Sequence, residues 1–240
     1  MKHSRFTIIE LVVAMAIAFI IISLTASTFM RSGGGARLNS TVQTLGSELL
    51  RARQLAQAER RLIAVLLPGD EATGVPTDNK YGCFRIAYVE MDDSGATTKY
   101  DFTDFPDDTE WGFTRPGISI MEADNDLGIR DGSTNKVEPY ENDHVTVDNV
   151  DLSALGGNNS VDGIRAVIFS PANRLKGGYT LYVTVGQATF NEGTWHIKDQ
   201  GETINSNGDT VNISCTNQMT LEINQYTAGV RYLRPYNYPN

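Results

Sequence analysis

The segment from Phe6 to Met30, FTIIELVVAMAIAFIIISLTASTFM, constrains this chain more than any other feature. As a helix rising 1.5 Å per residue it reaches about 37 Å, against a hydrocarbon core of about 30 Å. One carboxylate, Glu10, sits near its start. Burying that charge in a membrane costs about 2.5–3.5 kcal/mol even on insertion-based scales, so the residue needs a partner cation. Lys2 and Arg5 precede the run, and the positive-inside rule then places the N-terminus in the cytoplasm and everything beyond Met30 outside. A buried core helix fits poorly with so long a charge-poor run. A cleaved secretory signal accounts for the basic start, but the run is overlong and the small-residue site around Thr25-Ala26-Ser27 is a weak match. An ordinary membrane anchor explains the length and leaves the acid unexplained.

Beyond the run the period changes twice. Gly33-Gly34-Gly35 lowers helix propensity by about 1 kcal/mol per residue relative to Ala, which predicts a hinge or an unwound turn. Leu38, Val42, Leu45, Leu49, Ala52 and Ala56 then recur at spacings of four and three, an apolar stripe on an amphipathic helix over 36–61 that packs against the chain's own sheet. From Leu62 to Leu67 the pattern becomes a short apolar strand stopped by Pro68-Gly69, and Phe84 to Val89 alternates as a second. Trp111 to Met121, interrupted by Gly112 and Pro116-Gly117, reads as a strand pair or a bulged strand. The acidic stretch from Glu122 to Asn159 reads as long loops with a short strand at Val145–Val147. Strands follow at 164–169, 179–185 and 188–190, with Gly177-Gly178 and Gly186-Gln187 as turns, and closing strands at 210–213, 219–223 and 229–233.

The order Phe6-Thr7-Ile8-Ile9-Glu10 followed by Leu11-Val12-Val13-Ala14 resembles the prepilin N-terminal motif of type IV pilins and type II secretion pseudopilins. The resemblance implies removal of residues 1–5 by a prepilin peptidase between Arg5 and Phe6, and methylation of the new amine on Phe6. It also implies that Glu10 pairs with the N-terminal amine of a neighbouring subunit, which supplies the cation the buried acid needs. One position departs from the family: Gly normally precedes the cleaved bond, and here it is Arg5, a bulky cation that should slow the peptidase. ARQLAQAERRLIAVLLPG from Ala52 and AVIFSPANRLKGGYTLYVTVG from Ala166 resemble the GspH/FimT minor pseudopilin family, through Arg53, Ala56, Phe169, Ser170, Pro171, Gly177, Gly178 and Gly186. That family usually has Gly where this chain has Ala172-Asn173, and Asn tolerates the left-handed backbone such a turn needs.

The expectation is therefore an α+β chain. It comprises a basic leader (1–5), a long N-terminal transmembrane helix (6–30) hinged near Gly33-Gly35 (31–35), the amphipathic helix (36–61) and an antiparallel β-sheet head (62–240). An acidic insertion at about 68–159 is not covered by the resemblance. The resemblance implies a non-enzymatic minor pseudopilin of a type II secretion pseudopilus, anchored once in a bacterial inner membrane with its head in the periplasm. Its partners would be other pseudopilins or pilins in a filament, the prepilin peptidase and membrane lipid. The alternatives are a FimT-like minor pilin of a type IV pilus, with a link to DNA uptake, and a membrane-anchored β domain that binds a ligand without polymerising.

The formal charge of −9 argues against a nucleic-acid surface, although Arg231-Tyr232-Leu233-Arg234-Pro235-Tyr236 interleaves cations and aromatics as single-strand binders do. Cys83 and Cys215 either form one disulfide, closing a long loop for about 4 kcal/mol, or remain two small buried thiols. No zinc spacing is present. Asp92-Asp93, Asp107-Asp108 and Asp124-Asn125-Asp126 are the loop acids nearest to calcium ligands, but none has EF-hand spacing, and solvated loops account for them. His144 and His196 stand outside any HExxH or GxSxG pattern, so no catalytic site and no cofactor are expected.

Overall fold

The computed structural model describes residues 8–69, 72–77, 79–92, 98–124, 145–191, 194–197, 201–204, 210–213 and 218–233. Only the backbone is described at 8–14, 16–33, 122–124, 189, 191 and in the strands between 194 and 213. Helix α1 (Ile8–Glu59) is followed by β1 (Leu62–Leu66), β2 (Cys83–Asp92), β3 (Lys99–Asp104), β4 (Gly112–Phe113) and β5 (Ile118–Asp124). After these come β6 (Thr146–Val147), β7 (Ile164–Phe169), β8 (Leu181–Asn191) and β9 (Thr194–Ile197). The last strands are β10 (Gly201–Ile204), β11 (Thr210–Ile213), β12 (Gln218–Ile223) and β13 (Val230–Leu233). The chain is α+β, and the strand ladders are antiparallel. It divides into two compact units, Met1–Ala36 and Arg37–Asn240.

The backbone does not unwind at Gly33-Gly34-Gly35; α1 runs through the triplet as helix. Three glycines disfavour helix, but each added residue of an already nucleated helix contributes a hydrogen bond, and propagation overrides the local penalty. The helix ends at Glu59, where Arg60 turns left-handed at φ 55°.

The stripe residues Leu38, Val42, Leu45, Leu49, Ala52 and Ala56 are all buried. They share one core with two sheets: β3-β2-β1-β7-β6, with β4 on β2, and β13-β12-β8-β5, with β9 on β8. The period of two decides what each strand gives to which face. Ile63 and Val65 of β1, Phe84 and Ile86 of β2, and Val167 and Phe169 of β7 face the helix-side core, as do Leu181, Val183 and Val185 of β8. Ala64, Leu66, Cys83, Ala87, Val89, Ile164, Ala166 and Ile168 point the other way into a second core. This explains why β1 is apolar throughout and β7 is apolar except for the buried Arg165: their sheet is covered on both sides.

Beyond Asp124 the acidic stretch is described at 145–159, where it is loop with a short strand at Thr146–Val147, as expected, and a 3-10 turn at Ser153–Leu155; these loops are also packed onto the second core. Val147, Val150, Leu152, Leu155 and Val161 are buried there, with Ala72 and Val75 from the segment after β1. Single apolar residues separated by polar ones carry no helical or strand period, so the cover they form is invisible along the sequence. Two further differences follow from packing. Trp111 to Met121 does hold two strands, yet they belong to different sheets: β4 pairs with β2 and β5 with β8. Gly186-Gln187 is not a turn, because β8 continues through it to Asn191. A Cβ on Gly186 would collide with the Met121 sulfur, so the glycine serves close approach of β5 rather than chain reversal. Gly177 and Gly178, at φ 105° and 81°, do form the expected turn before β8.

Candidate functional site

The residues singled out at the N-terminus lie at the edge of what is described. Arg5 and Phe6 are outside the described residues. Glu10 falls on the third residue of α1, where the backbone is helical and its side chain is not described. Among the described residues no helix is long and apolar enough to cross a membrane; the side chains of the apolar run, Met15 excepted, are outside that description.

In the head, two of the motif residues, Arg53 and Ser170, meet at one junction with Asn173. Arg53 Nε, on the flank of α1, donates a 2.6 Å hydrogen bond to Asn173 Oδ1 across 120 residues of sequence. Asn173 sits at φ 62°, the left-handed position of a tight turn in which its N–H reaches Ser170 O and Ser170 N–H reaches Arg174 O. The Ser170 hydroxyl closes the turn onto Arg174 O at 2.9 Å. The asparagine therefore does two jobs where a glycine would do one: it takes the strained conformation and it ties the turn to the helix.

Beside α1 lies a cleft of about 420 Å³, lined by Thr44, Glu48 and Arg51 of the helix and by Phe84, Asp107, Asp108, Glu110, Trp111 and Gly112. Arg51 Nη1 is 3.9 Å from Glu48 Oε2, and its Nη2 donates to Asp108 O at 2.9 Å. Behind the cleft, Arg85 lies 3.7 Å over the Phe105 ring and 6.0 Å from that of Trp111, and donates to Thr109 O at 2.7 Å. Burial lowers the Arg85 pKa, and the carboxylates of Glu110, Asp104 and Asp151 oppose that shift. Among the described residues the buried Trp111 indole N–H has no hydrogen-bond partner. Sequence reasoning missed this cation–aromatic stack. Its one signal is Arg85 among otherwise apolar positions on one face of β2, and nothing in the spacing tied it to Phe105 or Trp111.

The remaining candidates are dispersed. Cys83 is a buried free thiol whose pKa burial pushes up to about 12, which makes it unreactive. Cys215 lies outside the described residues, as do Asp93, Asn125, Asp126, His144 and 234–240. Asp107 and Asp108 are exposed at the cleft, Asp92 ends β2, Asp124 ends β5 and His196 falls on β9. Among the described residues no group of three or more His, Cys, Asp or Glu is placed to hold a metal. Arg231 and Tyr232 are exposed on β13.

No family model matches the chain, and no curated protein is similar to it in sequence. Among solved structures it is similar to the type IV minor pilin FimU of Pseudomonas aeruginosa, at 12% identity and a TM-score of 0.37, over 82% of this chain and 87% of that one. A likeness at that level does not establish a shared family.

Proposed function

We propose that this chain is a pilin-like structural subunit, a pseudopilin of a type II secretion system, which works by assembling into a filament and carries out no chemistry. The observation that supports the reading is α1 itself. One helix holds both the apolar run with Glu10 near its start and, from Leu38 to Ala56, the stripe on which the head's core is built. In this reading the peptidase cuts between Arg5 and Phe6, the freed amine is methylated, and Glu10 pairs with the amine of a neighbouring subunit in the membrane. A carboxylate in hydrocarbon is tolerated only with such a partner. The head then lies in the periplasm.

N-terminal mass spectrometry of the membrane-extracted protein tests this directly. A mature chain beginning at methylated Phe6 is expected; an intact Met1 on every molecule overturns the reading. Glu10→Ala should abolish filament incorporation and leave head stability unchanged. In cells lacking the gene, exported proteins should accumulate in the periplasm while surface pili persist; the reverse pattern would move the subunit to a pilus.

A further inference from the structure

We propose that the cleft beside α1 is the docking site for the basic end of the head of a second copy of this chain. The contact rests on the filament reading for its parallel arrangement, and deepens it by naming the neighbour.

The flank of α1 at exposed Thr44 and Arg51 and half-buried Glu48 has no strand laid over it among the described residues; with the 105–111 loop it bounds the cleft. Its four carboxylates, from Glu48, Asp107, Asp108 and Glu110, outnumber its one lining cation, Arg51. Arg51 serves Glu48 and the Asp108 carbonyl. Among the described residues no cation lies within ion-pair distance of the Asp107, Asp108 or Glu110 carboxylates, and all three residues are exposed. Glu110 acts on Arg85 behind the cleft, which leaves Asp107 and Asp108 on a cavity large enough for several side-chain groups, open to cations from outside.

The same compact unit carries those cations. Arg60 and Arg61 are exposed where α1 gives way to β1, and Arg61 lies 4.3 Å over the Tyr88 ring. Arg174 is exposed in the turn that Asn173 ties to α1, and Lys176 Nζ reaches Met91 Sδ at 3.7 Å. Pairing of Leu62 with Val89 and of Ile63 with Phe169 draws these four cations to one end of the sheet, against Glu59 and Glu90 there. From Glu48 to the helix end at Glu59 is eleven residues, about 16 Å of rise. Two copies with parallel helices, displaced by about that length, bring the cleft of one to the basic end of the next. Such a contact is heterologous: each copy uses different surfaces, so it repeats along a filament instead of closing into a dimer. The chain would then occupy consecutive places in the filament.

The test uses the full chain in detergent micelles, with self-association measured by sedimentation velocity at low and high salt. Wild type should associate, and association should weaken by about tenfold or more as salt shortens the screening length. Asp107→Lys/Asp108→Lys and Arg60→Glu/Arg61→Glu should each associate at least tenfold more weakly than wild type, with unchanged near-UV circular dichroism. Mixed one to one, the two should regain wild-type association, because each then offers the other a complementary surface. Asp107→Asn/Asp108→Asn, which removes charge without reversing it, should give an intermediate loss and covers the case in which a reversal fails to fold. Salt-insensitive or absent association of wild type, or a mixture that stays dispersed, overturns the proposal. Glu10→Ala should retain this contact in micelles, so failure of the head contact and failure of the membrane-helix reading are told apart.

Discussion

Leu49 and Leu50 are adjacent, chemically identical and differently placed, and substituting each by alanine isolates what the helix stripe contributes. Leu49 is 0% exposed, while Leu50 is 36% exposed. Leu49→Ala removes three carbon groups at about 0.8 kcal/mol each, a floor of roughly 2.4 kcal/mol. Its neighbours come from α1 and both sheets and so cannot all collapse into the space, which raises the expected loss toward about 4 kcal/mol. Against a total stability of about 5–15 kcal/mol, that is a large fraction. For a unit of this size it lowers Tm by about 10 °C. Leu50→Ala should stay within about 1 kcal/mol. Urea unfolding of the full chain in micelles, followed by tryptophan fluorescence, reads both. Equal losses for the two variants, or a loss below about 0.5 kcal/mol for Leu49→Ala, would refute the placement of α1 in the head's core.

Three further outcomes are expected. Asn173→Ala should cost about 2–3 kcal/mol, because it strands Arg53 Nε and forces alanine to φ 62°; Asn173→Gly should cost about 1 kcal/mol less, the share due to backbone strain, as urea midpoints will show. Leu152→Ala should destabilise by about 2–5 kcal/mol in the same assay if the 145–161 segment is a core cover; a change under about 0.5 kcal/mol would make it a loose loop. The Cys83 pKa rises from 9.0 to about 12 on folding, so the folded state holds the neutral thiol while the unfolded state ionises. Its contribution is complete below pH 9 and falls by roughly 1.4 kcal/mol per pH unit between about 9 and 12. Cys83→Ala should remove that part of the slope in pH-dependent unfolding.

Features set by neighbours along the chain were legible before the fold was. The stripe from Leu38 to Ala56 emerged as the buried face of α1, because a helix brings residues three and four apart onto one side. The apolar runs at 62–67 and 164–169 emerged as β1 (Leu62–Leu66) and β7 (Ile164–Phe169). The left-handed site in the 170–174 turn was legible through the tolerance of asparagine for it. What was hidden depends on partners distant in sequence. Gly186 resembled a turn residue until Met121 of β5 was set against it. Trp111 to Met121 looked like one unit, although its two strands join different sheets.

By itself the sequence determined the stripe of α1, the apolar runs of β1 and β7, the turn at Gly177-Gly178 and the chemistry of the N-terminal run: periodicity, turn residues and one acid in an apolar segment are local properties, and local sterics and solvation suffice to read them. Only the tertiary structure decided that residues 145–161 cover a second core, that Arg53 reaches Asn173, and that Glu48, Asp107, Asp108 and Glu110 border one cleft. Each of these depends on strand register and on the crossing between sheets, which follow from burying both faces of β1 and β7 together. No window of sequence contains that global condition.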